Sequence, residues 1–281
     1  MQVAVVTSCS NEGFQRYGRR FLDTFHRFWP VQTPIHIVSE DTLNLPLSIT
    51  GSKRSVSFWD LASSPAAASF YERHKSNAKA HGLGQIGIVI KPHERRPGYS
   101  YRHDAYRFSK KVFAIELVMQ KITAGRLVWL DADIVTLCPV PDNLMFELPP
   151  QDHSIAYLDR SPHHSECGFV GYNLEHAATR PFVSEFTRLY ASDEVFALRE
   201  WHDSWVFDFL RLEMEVPSYA IPHTKKSLSH PFVHSVLGQY MDHLKGSRKE
   251  RGVSHDHPKF TRKGRPVVVR PRRMGRTARH P

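Results

Sequence analysis

The chain has 281 residues, 41% of them hydrophobic, which allows one large α/β domain or two small ones and excludes a disordered protein. No run of about 18 apolar residues occurs, so no helical membrane span is expected. The net charge of +10 is uneven: residues 245–281 carry 13 Lys and Arg against 2 acids, leaving 25 bases and 26 acids before them.

Residues 3–9, "VAVVTSC", read as a buried first strand. "NEGFQRYGRRFLDTFHRFW" follows with Phe14, Tyr17, Phe21, Phe25 and Phe28 at spacings of three and four, a helical stripe. Pro30 and Pro34 end it, and "PIHIVSED" is a second strand ending in acids. Strand, helix, strand is the opening of a parallel sheet with crossover helices. Residues 41–104 are less periodic, with a helix expected after Pro65 and a basic loop in "KPHERRPGYSYRHD". Asp104 is a plausible N-cap for the helix "AYRFSKKVFAIELVMQKI", which Gly125 separates from the strand "RLVWL". "SIAYLDR" and "ECGFVGYNL" read as strands, and "ATRPFVSEFTRLYAS" and "EWHDSWVFDFLRLE" as helices. Beyond Gly246 the periodicity fades into Pro, Gly, Arg and Lys.

Three widely spaced cysteines, Cys9, Cys138 and Cys167, form no C-x-x-C. The N-terminus "MQVAVVTSCS" has no basic segment leading into an apolar run and a cleavage site. Both suit a reducing cytoplasm. The basic tail, residues 245–281, suits a polyanion such as nucleic acid, an acidic membrane surface or an anionic glycan, and equally a solvated segment of no function. A cytoplasmic protein peripheral at a membrane fits the same features.

The strand "RLVWL" runs directly into Asp131, Ala132 and Asp133. Residues i and i+2 of a strand point to one face, so the two carboxylates project together. A bare pair would repel, and a divalent cation held by their oxygens removes that cost. Ligands of open α/β sheets bind at the carboxyl ends of strands. The same pair also fits the start of a surface turn.

The residues around the pair decide between these readings. A strand followed by D-x-D after a basic helix, with a late "HLKGSRK" that gives His243, Gly246 and Lys249 in an H-x-x-G-x-x-K pattern, resembles the nucleotide-sugar glycosyltransferases of the GT-A fold, closest to glycosyltransferase family 8 and its relatives. The resemblance covers residues 1–250. It implies an α/β protein with a GT-A, Rossmann-like mixed sheet flanked by helices in a single main domain. Residues 1–247 would be that domain, with 1–133 the nucleotide-binding half and 134–247 the acceptor half, and 248–281 a basic C-terminal tail. It implies Asp131, Asp133 and His243 as ligands of Mn²⁺ or Mg²⁺, Lys249 on the donor diphosphate and Gly246 in the turn before it. Imidazole and carboxylates suit Mn²⁺, and a Lys charge neutralises phosphate. The family has Pro-Trp after the Lys where this chain has Glu250 and Arg251.

Other positions match more loosely. "ECGFVGYN" resembles the family's glycine-containing strand beside the donor sugar and acceptor, where Gly168 would allow close backbone approach. In "EWHDSW", Asp203 matches the Asp of an Asp-Gln motif beside the donor sugar, while Ser204 stands in place of the Gln. Asp203 is thus the catalytic candidate. Arg107 and Lys110 of "YRFSKK", which also contains Lys111, are the basic residues assigned to the donor, and Thr7 and Ser8 end the first strand where the family binds the nucleoside.

Two apparent motifs are set aside. "GLGQIG" fits G-x-G-x-x-G, but a polar segment precedes it and "IVIKP" follows, the reverse of a dinucleotide fingerprint. "HHSEC", residues 163–167, reads as a polar loop leading into the Gly168 strand rather than a metal cluster. The resulting expectation is a metal-dependent hexosyltransferase using a nucleoside-diphosphate sugar, a UDP-sugar by resemblance, and retaining anomeric configuration. The acceptor stays open among glycan, lipid-linked sugar, protein and nucleic acid. The alternatives are a nucleic-acid-binding protein, or a glycosyltransferase acting on modified bases in DNA, using the basic tail.

Overall fold

The computed structural model describes residues 2–41, 55–84, 98–123, 125–224, 230–246, 248–254 and 256–257. Nine strands are present among them: β1 (Val3–Cys9), β2 (Ile35–Ser39), β3 (Val56–Asp60), β4 (Arg126–Leu130), β5 (Ile134–Thr136), β6 (Ile155–Leu158), β7 (Glu166–Asn173), β8 (Ser218–Ala220) and β9 (Met241–His243). Seven form one mixed sheet of order β3-β2-β1-β4-β7-β6-β8, and β5 pairs with β9 in a separate ladder. β1 to β4 run parallel, β7 is antiparallel to both β4 and β6, and β8 is parallel to β6. The mixed sheet flanked by helices is the α/β architecture the sequence predicts.

Every residue of β4 is buried, as expected of a central strand covered on both faces. Alternation divides its side chains between two cores. Leu127 and Trp129 join the core formed with α3 (Pro65–His74), α4 (Ala105–Met119), α5 (Thr179–Ala191) and α6 (Asp203–Glu213). Val128 and Leu130 join the core under α2 (Arg19–Phe28), with Phe21, Phe25 and Met241.

The first predicted helix begins as α1 (Asn11–Gly13), passes through a π turn at Phe14–Gly18 and continues as α2. The wider turn shifts the helical phase. Phe14, Phe21 and Phe25 are buried as the stripe predicts, whereas Tyr17 is only half-buried and faces the cleft described below. Asp104 caps α4 as expected, its Oδ1 accepting from Arg107 N at 3.1 Å. The last predicted helix starts at Asp203 rather than at Glu200. β3 is an addition, on a segment that gave no clear pattern.

Residues beyond Gly246 return to the body before leaving the described region. α7 (Pro231–His234) precedes β9, α8 (Arg248–Arg251) follows a turn at Gly246, Gly252 O accepts from Arg20 at 2.7 Å, and Ser254 N–H and Oγ–H both donate to Asp242 at 2.7 Å. Most of the basic tail, and the last glycine of "GLGQIG", lie outside the described residues. No helix among the described residues is long and apolar enough to cross a membrane.

Candidate active site

The carboxyl ends of β1 and β4 lie side by side because the strands are parallel. β7 enters antiparallel, so its first residues stand next to the end of β4: Asp131 N–H donates to Gly168 O at 2.9 Å. The site forms where the sheet changes from parallel to antiparallel.

Asp131 and Asp133 come together differently from the strand-face expectation. β4 stops at Leu130, and Asp131–Asp133 form a turn closed by Ile134 N–H donating to Asp131 O at 3.0 Å. It is not a surface turn, since Asp133 is 9% exposed. The turn leads into β5, whose register with β9 sets Ile134 opposite His243. Leu244 N–H then donates to Asp133 O at 3.1 Å. This pairing brings His243 to the two aspartates. Its Nε2 lies 3.0 Å from Asp133 Oδ1 and 3.5 Å from Asp131 Oδ2, and one ligand atom from each residue falls within 4.8 Å of the others.

His243 Nδ1 faces Glu166 Oε1 at 3.1 Å, and both residues are almost wholly buried. Neither ring nitrogen of His243, nor Asp133 Oδ1, makes a well-aligned hydrogen bond. Buried polar atoms close together yet unpaired are costly unless something between them completes their bonding. Two carboxylates and an imidazole match the preferences of Mn²⁺ or Mg²⁺, and a carboxylate behind the histidine is the usual outer partner of a metal-bound imidazole. The residues therefore fit a divalent cation. Burial disfavours charge on His243, but Asp133 and Glu166 outweigh it and hold the imidazolium up to about 9. Burial likewise opposes charge on Asp133, and His243 and Lys249 outweigh it, keeping the carboxyl well below its ordinary range.

Three lysines surround this centre. Lys249 Nζ lies 2.9 Å from Asp133 Oδ2 and 4.3 Å from the Tyr17 ring centroid. Gly246, at φ +58°, makes the turn that directs α8 and Lys249 back to the site. Lys245 pairs with Glu166. Lys111 Nζ lies 2.9 Å from Asp131 Oδ1, 2.7 Å from Asp203 Oδ2 and 2.9 Å from Cys167 O. Burial lowers the Lys111 pKa, but Asp131 and Asp203 outweigh this and keep it charged. Trp129, two residues before Asp131 and on the same face, donates from Nε1 to Asp131 Oδ1 at 2.7 Å.

A cavity of about 180 Å³ opens here, lined by Ser8, Arg107, Lys110, Lys111, Asp131, Asp133 and Lys249 among others. It shares Glu40 and Lys110 with a cavity of about 750 Å³ at the carboxyl ends of β2 and β3, walled by Trp59, Tyr71 and Tyr106. Most of the predicted residues thus meet at one place. Asp203 is joined to it through Lys111. Gly168 sits against His243, where a Cβ would collide with the imidazole ring, so the space its missing side chain leaves is taken by that ring rather than open to a sugar. Thr7 is the exception: it is 1% exposed and off the cavity wall, because adjacent strand residues point to opposite faces and Ser8 takes the cavity side. Lys110 lines the cavity but is paired with Glu40 at 3.2 Å, and its neighbour Lys111 contacts the aspartates.

Sequence reasoning missed Glu166, which lay inside "HHSEC", and His230, a buried histidine 5.9 Å from His243 between ring centroids. Burial, then His243, pushes His230 down to about 3. Two basic residues at the start of the tail face acids of the body, Lys245 pairing with Glu166 and Lys249 with Asp133, while Arg248 lies 3.5 Å from Asp256 within the tail itself.

No family model matches the sequence, and no curated protein matches it. Among solved structures, mouse xyloside xylosyltransferase 1 in its apo form is similar with a TM-score of 0.49 and 13% identity, covering 79% of this chain and 85% of that one. The glycosyltransferase GlyE of Streptococcus pneumoniae TIGR4 is similar with a TM-score of 0.47 and 11% identity over 79% of this chain. The match spans 45% of GlyE, less than half of its length.

Proposed function

We propose that this protein is a metal-dependent glycosyltransferase that moves a hexose from a nucleoside-diphosphate sugar, a UDP-sugar by the family resemblance, to an acceptor with retention of configuration. The observation that carries this reading is the convergence of Asp131, Asp133 and His243, from segments far apart in sequence, within 4.8 Å beside a lysine-lined cavity. A divalent cation bound there would supply positive charge against the leaving diphosphate.

The chain's own residues do the rest. Lys249, held between Asp133 and Tyr17, places a fixed ammonium beside the diphosphate, a preorganised electrostatic contribution. Lys111 pairs with both Asp203 and Asp131 and fixes their arrangement. Asp203 then accepts hydrogen bonds from donor sugar hydroxyls. Gly168 leaves room for the His243 ring beside Asp131 and Asp133. The larger cavity, with its aromatic wall and carboxylates Glu40 and Asp60, takes the nucleoside.

Calorimetry with UDP, with and without Mn²⁺, tests the reading on wild type and Asp133→Ala. Binding that needs Mn²⁺ and is lost in the variant is expected, as is loss of transfer in Asp131→Asn and His243→Ala. Metal-independent binding of UDP, unchanged in Asp133→Ala, would overturn the site.

A further inference from the structure

A second group of metal-type side chains lies outside this centre. His164, in the loop before β7, meets Glu200 and His202, immediately before α6. Glu200 Oε2 is 3.0 Å from His202 Nε2 and 3.3 Å from His164 Nε2. The three ligand atoms all lie within 4.8 Å of one another. We infer that His164, Glu200 and His202 form a second cation site, for a borderline transition metal of the Zn²⁺ class, independent of the Asp131–Asp133–His243 centre.

The donor set and spacing carry the inference. Two imidazole nitrogens and one carboxylate oxygen are a zinc-type set, whereas the first site offers two carboxylates and one imidazole. Ligand atoms around a tetrahedral Zn²⁺ with bonds of about 2.0–2.1 Å stand roughly 3.3 Å apart. The two separations from Glu200 Oε2, 3.0 and 3.3 Å, are close to that value. Glu200 and His202 are 4% and 5% exposed, so two of the ligands are fixed by packing. Arg102 binds the other carboxylate oxygen, Glu200 Oε1, at 3.0 Å, which orients Oε2 toward the histidines as an outer partner should. The His202 ring is held between Tyr101 and Phe108, with centroids 5.6 and 5.8 Å away. His164 is one-third exposed, which gives a cation a path in and leaves a fourth position for water.

The site would tie the loop before β7 to the residues that begin α6. Asp203 directly follows His202, so an occupied site fixes the start of the helix that presents it.

The full chain is titrated with Co²⁺, read by the intense visible absorption of four-coordinate cobalt, on wild type, His164→Ala, His202→Ala and Asp133→Ala, with circular dichroism confirming that each is folded. One equivalent producing the band in wild type and Asp133→Ala, and no band in His164→Ala, is the expected result. His164 is a partly exposed loop residue, so its variant keeps the test usable if His202→Ala or Asp133→Ala does not fold; Asp131→Asn then replaces Asp133→Ala. No band in wild type would overturn the inference. So would a band that survives in His164→Ala or disappears in Asp133→Ala or Asp131→Asn. UDP binding is measured separately, so loss of either site is seen without the other.

Discussion

His243 and Glu166 face each other at 3.1 Å in a wholly buried contact, with the two aspartates on the opposite side of the ring. Glu166 therefore orients the imidazole, and in the proposed metal centre it would act behind the histidine rather than on the cation. Glu166→Gln should weaken Mn²⁺ binding by about 10–100-fold, the usual effect of losing an outer carboxylate. Calorimetric titration checks it, and unchanged affinity would refute the role. Glu166→Asp, which keeps the charge, should recover part of the affinity.

Lys111 is the only described ammonium that contacts both Asp131 and Asp203. Replacing it with Met leaves the Asp203 carboxylate buried with its ion pair gone. Breaking such a pair from one side costs about 3–5 kcal/mol. Urea unfolding of Lys111→Met should show a loss of that order. A change below about 1 kcal/mol would mean that the pair behaves as a surface contact.

Gly168→Ala tests the packing of His243. The new methyl would strike the His243 ring and the Glu166 carboxylate, both held from behind. We expect a stability loss of about 1–3 kcal/mol from overpacking. Mn²⁺ affinity should fall as well, because the displaced ring is that of His243, the proposed ligand. Thermal unfolding and metal titration of one preparation separate the two effects.

The cysteines should differ in reactivity. Burial, then Glu40 and Asp41, pushes the Cys9 thiol up to about 12, and burial raises Cys167 well above its ordinary range. The thiolate is the reactive form, so at pH 8 Cys9 is ionised at a level on the order of 10⁻⁴. Cys138 is half-buried rather than buried. Iodoacetamide at pH 8 should label Cys138 alone in folded protein and all three cysteines in denaturant, as mass spectrometry of the peptides would show. Rapid labelling of Cys9 in folded protein would contradict this environment.

The parts of the site readable from sequence were those where residue type and local spacing carry the chemistry. D-x-D after an apolar strand points to Asp131 and Asp133 by its chemistry, and the resemblance carried by H-x-x-G-x-x-K adds His243 and Lys249. Glu166 was not readable, because its role arises from the antiparallel entry of β7 beside β4 and the β5–β9 register. Lys110 and Lys111 differ by one helical position, about 100° around the axis, and pattern alone did not resolve that phase. Tyr17 fitted the apolar stripe by spacing, but the π turn rotated it out. β3, with its partly exposed residues and no clean alternation, gave too weak a signal to identify.

The β5–β9 ladder has a consequence for how the protein matures. Asp131 and Asp133 are made first, on the turn after β4, while His243 arrives only with β9. Until that strand pairs, Asp131 and Asp133 have no imidazole beside them and Lys249 has not closed over Asp133. Joining segments so distant in sequence carries a loop-closure cost, which favours late formation. A ribosome-bound or truncated chain ending before Met241 would hold the sheet's central strands yet lack His243, so any cation affinity of the proposed centre would appear only once β9 has been made.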